Sequence, residues 1–199
     1  MIRWARIGLL LAILALVWAM FGPAIMRAPD IAPERPPIAR PDRPQPTLPS
    51  AGPRPDAPII GQIDRIEIDK AARRLTAFQN GAAVRVYEIQ LGFAPEGTKI
   101  RQGDGKTPEG VFRVDRRNDR SAFHLSLGLD YPLPADRARA RAGGYDPGGD
   151  IFIHGQPNQI EEGFRVRGDW TDGCVAITND EIRELFAATP IGTTVEIRP

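Results

Sequence analysis

From residue 59 onwards, apolar and polar positions fall into short alternating runs, and a period near two predicts strands. Gln62 to Ile68 is the first, with Ile63, Ile66 and Ile68 facing inward. Arg73 to Gln79 and Ala83 to Leu91 flank Asn80-Gly81, a pair whose tolerance of positive φ marks a hairpin. Val111 to Asp115, Ala122 to Leu127, Ile151 to Ile153, Val175 to Ile177 and Thr193 to Ile197 read as further strands. Only two segments suit helices. Pro134 to Ala142 starts on proline. Thr178-Asn179-Asp180-Glu181 fits a capping box and opens a helix through Phe186, whose apolar face is Ile182, Leu185 and Phe186. The pattern predicts a mainly β domain over 59–199, large enough to bury one core without disulfides.

Before residue 59 the rhythm changes twice. Ile7 to Met26 runs twenty residues without a charge, long enough to cross a bilayer as a helix. Residues 1–28 are read as an uncleaved signal anchor; a cleaved signal peptide is the competing reading, but no clear small-x-small cleavage site is present. Arg3 and Arg6 precede the run, while Arg27, Arg35 and Arg40 follow it, so charge does not fix the orientation. Residues 29–58 hold eleven prolines in thirty residues and cannot build a core. At about 3.1 Å per residue this Pro-rich disordered linker reaches roughly 90 Å, either as a tether or as a passive spacer.

Composition narrows the function classes. Net charge is +1 over 199 residues, split as +3 before residue 59 and −2 after it, which gives no reason to expect nucleic-acid binding. One cysteine cannot form a disulfide within the chain. The excess of Arg over Lys, 23 to 3, is read as genomic bias.

Candidate chemistry concentrates in Asp150 to Thr178, which carries Cys174 and one of two histidines, His154. An apolar run delivers His154 before Gly155, and Thr171-Asp172-Gly173-Cys174 begins another. Neighbouring strands can thus bring a thiol to an imidazole, which would take the thiol's proton. Gly173 lets a carbonyl approach, and the Gly173 and Cys174 amides could face an oxyanion. The bland reading is a buried core cysteine beside a loop histidine; the Gly-Cys and His-Gly contexts favour the catalytic one.

His154, sixteen intervening residues and Thr171-Asp172-Gly173-Cys174, preceded by Gly103-Asp104-Gly105-Lys106-Thr107-Pro108-Glu109-Gly110, resemble the two hallmarks of the L,D-transpeptidase catalytic (YkuD-type) domain. Asp172 stands where the commoner signature has a second histidine. This T-D-G-C form, with Phe123 to Leu127 and Tyr131-Pro132 before it, is similar to the YafK-like branch. The resemblance implies an L,D-transpeptidase-like β-sandwich with two short helices. It implies Cys174 as nucleophile, His154 as proton carrier and Gly173 as backbone donor to the oxyanion. Asp172, Thr171, Gly155 and His124 are the substrate-binding candidates. The implied substrate is the peptidoglycan tetrapeptide stem, with amine acceptor or water resolving a thioester and no metal or organic cofactor. A hydrolytic variant would release a wall-attached lipoprotein. The implied site of action is the inner membrane, single-pass, with the domain facing the periplasm.

Other readings remain beside it. Asp172 by itself disfavours a thiolate; it either orients His154 or an incoming ammonium, or closes the turn. His124 either lines the groove or is a hydrogen-bonded strand-edge histidine. A zinc site from His124, His154 and Cys174 lacks ligand spacing. Gly103 to Gly110 lacks the phosphate-loop spacing and is expected to wall the groove. Asn158 to Gly168 is expected to be a lid, on which Arg165 and Arg167 either grip substrate carboxylates or, the favoured reading, are solvated. Sortases and papain-like peptidases differ in His–Cys interval or order. A non-catalytic wall-binding module is the rival from another class.

Overall fold

The computed structural model describes residues 58–199, so the expected anchor and linker lie outside the described residues. Among the described residues no helix is long and apolar enough to cross a membrane. Eight strands follow in chain order: β1 (Arg65–Asp69), β2 (Arg74–Gln79), β3 (Ala82–Glu88), β4 (Gly110–Ser121), β5 (His124–Leu129), β6 (Phe152–His154), β7 (Val175–Ala176) and β8 (Thr194–Arg198). Two helices interrupt them, α1 (Pro134–Gly143) between β5 and β6 and α2 (Asn179–Ala188) between β7 and β8.

The strands share one hydrogen-bonded order, β3-β2-β1-β8-β4-β5-β6-β7. The expected sandwich therefore takes the form of a single curled sheet. The long β4 makes the curl: Gly110 to Arg113 pair with β8, while Val114 onwards pairs with β5. Its register shifts between Val114 and Arg116, where a bulge bends and twists the strand. The chain after β3 then meets the far edge. Gln90 and Ala176 exchange backbone hydrogen bonds at 2.9 and 2.8 Å, and Gly92 bridges Thr171. Ile66, Ile68, Leu75, Leu127, Ile153 and Val195 lie fully buried inside the curl. Burial of such side chains is worth about 1.5–3 kcal/mol each.

Local chemistry explains the element ends. Asn80 and Gly81 stand at φ 51 and 79 between paired Gln79 and Ala82, a two-residue hairpin loop. At α2 the Thr178 N–H donates to Glu181 Oε2 at 2.9 Å, and the Glu181 N–H returns to Thr178 Oγ1 at 3.3 Å. At α1, Pro134 occupies the first turn, and Gly144 closes the helix at φ 67.

The expected strand Val111 to Asp115 is longer than the pattern shows. β4 continues through Arg116-Arg117-Asn118-Asp119-Arg120 to Ser121, a run almost wholly exposed on both faces. Without a buried face it carries no alternation, so nothing in its polarity marks it as strand.

Two of the three lysines are buried. Lys70 and Lys99 are each 3 % exposed and organise the segment between β3 and β4. Lys70 Nζ donates to Gly97 O and Glu109 Oε1, both at 2.6 Å, and to Thr107 O at 3.3 Å. Lys99 Nζ donates to Asp104 Oδ1 at 2.9 Å and Arg101 O at 3.2 Å. A tetrahedral ammonium can serve acceptors arranged around one point, which a planar guanidinium fork serves poorly.

Candidate active site

Gly103 to Glu109 lies outside the strands and leads into β4. Gly103 and Gly105 take φ 76 and 67. Between them Asp104 gathers the amides of Ile100, Arg101 and Lys106. Burial alone would raise the Asp104 pKa, but those amides and the Lys99 ammonium outweigh it and hold it at about 2. This turn packs backbone to backbone against the cysteine turn. A Cβ on Gly173 would stand 2.5 Å from Lys106 O, and one on Gly92 only 2.1 Å from Gly105 O.

The Thr171 to Cys174 turn is closed by its own threonine. Thr171 is 4 % exposed; its Oγ1 donates to Cys174 O at 2.7 Å and accepts the Gly173 N–H at 3.2 Å. The Gly173 N–H is thereby engaged within the turn. The same bonds make Thr171 a turn-closing residue.

Parallel pairing of β6 and β7 sets His154 beside Ala176 and Ile153 beside Val175. His154 and Cys174 both line one cavity of about 790 Å³. Among its other lining residues are Phe123 and Ser126, Gly148 to Phe152, Lys99, Gln102 and Gly103, and Trp170 to Asp172. Gly103 thus walls the cavity, as expected of the G-D-x-x-T-P-x-G segment. Asp172 lies exposed at the same cavity.

His154 is 2 % exposed and enclosed by aromatic rings, Phe123 at 4.5 Å and Trp170 at 5.7 Å between centroids. Its Nδ1 lies 2.7 Å from Gly155 O. A carbonyl only accepts, so Nδ1 carries the proton and Nε2 keeps a free lone pair. Burial lowers the His154 pKa to about 4, with the Gly155 carbonyl opposing it. The imidazole is neutral across ordinary pH.

Cys174 is half-buried, and its Sγ donates to Asp150 O at 3.4 Å. Burial pushes the thiol up to about 11; Asp172 and Asp150 add to the rise, while a Phe152 backbone contact and Lys99 oppose it. With its pKa so raised, the thiol keeps its proton at neutral pH. The resting pair is a neutral thiol and a neutral imidazole, not a thiolate–imidazolium pair.

Two expected substrate-binding residues lie elsewhere. Gly155 is buried under α2, where a Cβ would meet Asn179 Oδ1 at 2.7 Å, and it does not line the cavity. His124 stands at φ 68 after the β4–β5 turn, with Nε2 3.1 Å from Arg183 Nη1. It too is absent from the cavity lining, which is the strand-edge alternative. Among the described residues no group of three or more His, Cys, Asp or Glu side chains could hold a metal ion.

The expected lid is tied down at the side. None of residues 158–168 lines the cavity. Gln90 Nε2 donates to Val166 O and, at 2.9 Å, to Gly168 O, and the Val166 N–H donates to Gln156 Oε1 at 2.9 Å. Arg165 donates to Glu88 O at 2.8 Å. The buried Gln90 also accepts the Trp170 indole N–H at 3.1 Å, holding that ring beside His154. Phe123, Trp170 and Asp150 are the site residues that sequence reasoning left unassigned. Trp170 was the findable one, since it directly precedes the Thr171 to Cys174 turn.

Comparison with known proteins places the chain in a family. The Escherichia coli K12 protein YafK is 34% identical over 134 residues, which cover 64% of this chain and 48% of the relative. The Bacillus subtilis protein YqjB is 27% identical over 134 residues, covering 65% of this chain and 68% of the relative. The chain thus spans about half the length of YafK. Among solved structures, the helical cell shape determining protein Pgp2 of Campylobacter jejuni shares the fold, with TM-score 0.52 and 24% identity over 69% of this chain and 48% of that one. The family model described as L,D-transpeptidase catalytic domain (YkuD) matches residues 63–197, most of the chain. The protein therefore belongs to the L,D-transpeptidase catalytic domain family.

Proposed function

We propose that the chain is a peptidoglycan-modifying enzyme that transfers the acyl group of a tetrapeptide stem through a thioester on Cys174. The observation that supports the reading is that Cys174 and His154 line one cavity, with the His154 Nδ1 turned to the Gly155 carbonyl. In the first step the Cys174 proton passes to Nε2 and sulfur bonds to the carbonyl carbon of the stem's L-centre. The C–N bond then breaks, and the imidazolium gives its proton to the departing D-alanine amine. In the second step Nε2 takes a proton from an amine acceptor or water, which attacks the thioester and restores the thiol. With the Gly173 amide engaged, the Cys174 N–H is the backbone donor proposed for the oxyanion. Gly155 acts through its carbonyl, which keeps the reactive imidazole nitrogen unprotonated.

Asp172, exposed at the cavity, suits the approach of an ammonium-bearing acceptor. Resolution by water instead gives a carboxypeptidase, or an amidase that releases a wall-attached lipoprotein. Residues 7–26 and the proline-rich stretch are proposed to hold the domain at the inner membrane, facing the periplasm. Incubation of the purified protein with tetrapeptide muropeptides, followed by mass spectrometry, tests the reaction. Cross-linked or exchanged stems are expected. Only trimmed or lipoprotein-released products would replace transfer by hydrolysis, and an unchanged substrate would leave a binding module.

A further inference from the structure

The backbone oxygen that holds the thiol has an anchor of its own. Asp150, whose carbonyl accepts from Cys174 Sγ, stands at φ 53. A non-glycine residue adopts this left-handed conformation at a cost, and keeps it where its surroundings enforce it. Arg116 pairs with the Asp150 side chain, a carboxylate that is otherwise 88 % exposed. Its Nη2 lies 3.1 Å from Asp150 Oδ1, and its Nη1 lies 2.9 and 3.0 Å from the Asp115 carboxylate oxygens. The guanidinium sits 4.5 Å over the Phe152 ring. Its stem crosses Gly128, where a Cβ would stand 2.4 Å from Arg116 Cγ. The β4 register shift beside Arg116 sets it on this face. Residues 148–150 form a strap shared by the Cys174 cavity and a neighbouring cavity of about 640 Å³, which Arg116 lines.

We propose that Arg116 is a positioning residue for the nucleophile: it holds Asp150 left-handed, and so keeps the Asp150 carbonyl on the Cys174 thiol and the proton on sulfur. The charged and titratable groups that line the cavity with that sulfur are Asp150, Asp172, Asp146, Lys99 and His154. Loss of the Arg116 charge would by itself make the thiol harder to ionise. Release of the carbonyl makes it easier. The opposed signs separate positioning from simple electrostatics.

The inference rests on Cys174 being the nucleophile only for its consequence. Its test, the pH profile of iodoacetamide alkylation of the full chain followed by mass spectrometry, needs no turnover. Arg116→Ala is expected to lower the apparent thiol pKa by about one unit, giving about tenfold more thiolate at pH 7.5. Arg116→Lys, which can still reach Asp150, should restore the wild-type profile. Gly128→Ala displaces the Arg116 stem without changing any charge. It should lower the pKa as Arg116→Ala does, and add nothing in the Arg116→Ala background. An unchanged or raised pKa in folded Arg116→Ala overturns the proposal, as does a Gly128→Ala effect that persists without Arg116. Should circular dichroism show Arg116→Ala unfolded, Gly128→Ala alone decides, and an unshifted profile overturns the proposal. Loss of muropeptide turnover would bear on the function and leave this result standing.

Discussion

Replacing His154 with alanine is expected to lower kcat/KM on a tetrapeptide stem by about 10²–10⁴-fold, the usual worth of a positioned general base. The structure sharpens the expectation through pH. Nε2 can accept the thiol proton only while the imidazole is neutral. Burial holds the His154 pKa at about 4, so the base is lost as pH falls through that value. The Cys174 thiol, pushed up to about 11, keeps its proton until well above neutrality. The wild-type profile should therefore show an acid limb near 4 and a plateau across neutral pH. His154→Ala should abolish that limb along with most of the rate, its fold being checked by circular dichroism because the ring packs against Phe123 and Trp170. Wild-type turnover in this variant would remove His154 as the base. An acid limb at the ordinary histidine value of about 6.5 would mean that the ring is more solvated than this site allows.

Gly173→Ala should damage both fold and reactivity. Gly173 stands at φ 132, where side-chain-bearing residues rarely go, and a Cβ would press to 2.5 Å from Lys106 O and 3.3 Å from Ile151 Cδ1. The nearer of these atoms is backbone, in a turn fixed by Asp104 and Lys99, so the neighbour cannot step aside. We expect a loss of roughly 3 kcal/mol or more in urea unfolding, the range of changes that combine strain with overpacking. In whatever fraction stays folded, Cys174 is displaced and its acylation slows. Gly81→Ala is the internal comparison. Gly81 also has positive φ, but nothing lies within 4 Å of its Cβ position, so the loss there should stay near 1 kcal/mol. Equal losses at the two glycines would show that the turns do not meet as described.

What could be read from the sequence was local. The Asn80-Gly81 hairpin, the Thr178 capping box and the proline-led α1 each depend on a few adjacent residues whose backbone chemistry has one good solution. The adjacency of the strand that ends on His154 and the strand that follows Cys174 was legible because β6 and β7 are sequence neighbours joined by one loop. What escaped was non-local or unpatterned. The second half of β4 is wet on both faces and shows no alternation. The environment of the thiol depends on Asp150 O, reached through Arg116 from another strand. The aromatic enclosure of His154 draws Phe123 and Trp170 from separate loops, and Gln90 holds Trp170 there. Whether His124 lines the groove or sits at the strand edge depends on which way its side chain faces, and the left-handed φ of 68 there is not written in the alternation.

Cysteine usage alone leaves the chemistry open; a covalent intermediate closes it. Intact-protein mass spectrometry after brief mixing with a tetrapeptide muropeptide, with peptide mapping of the trapped species, addresses the thioester itself. The account predicts a mass increase equal to the stem less its terminal D-alanine, located on Cys174 and absent from Cys174→Ala. Turnover by the wild type that persists undiminished in Cys174→Ala, or a stem attached at any other residue, would contradict it.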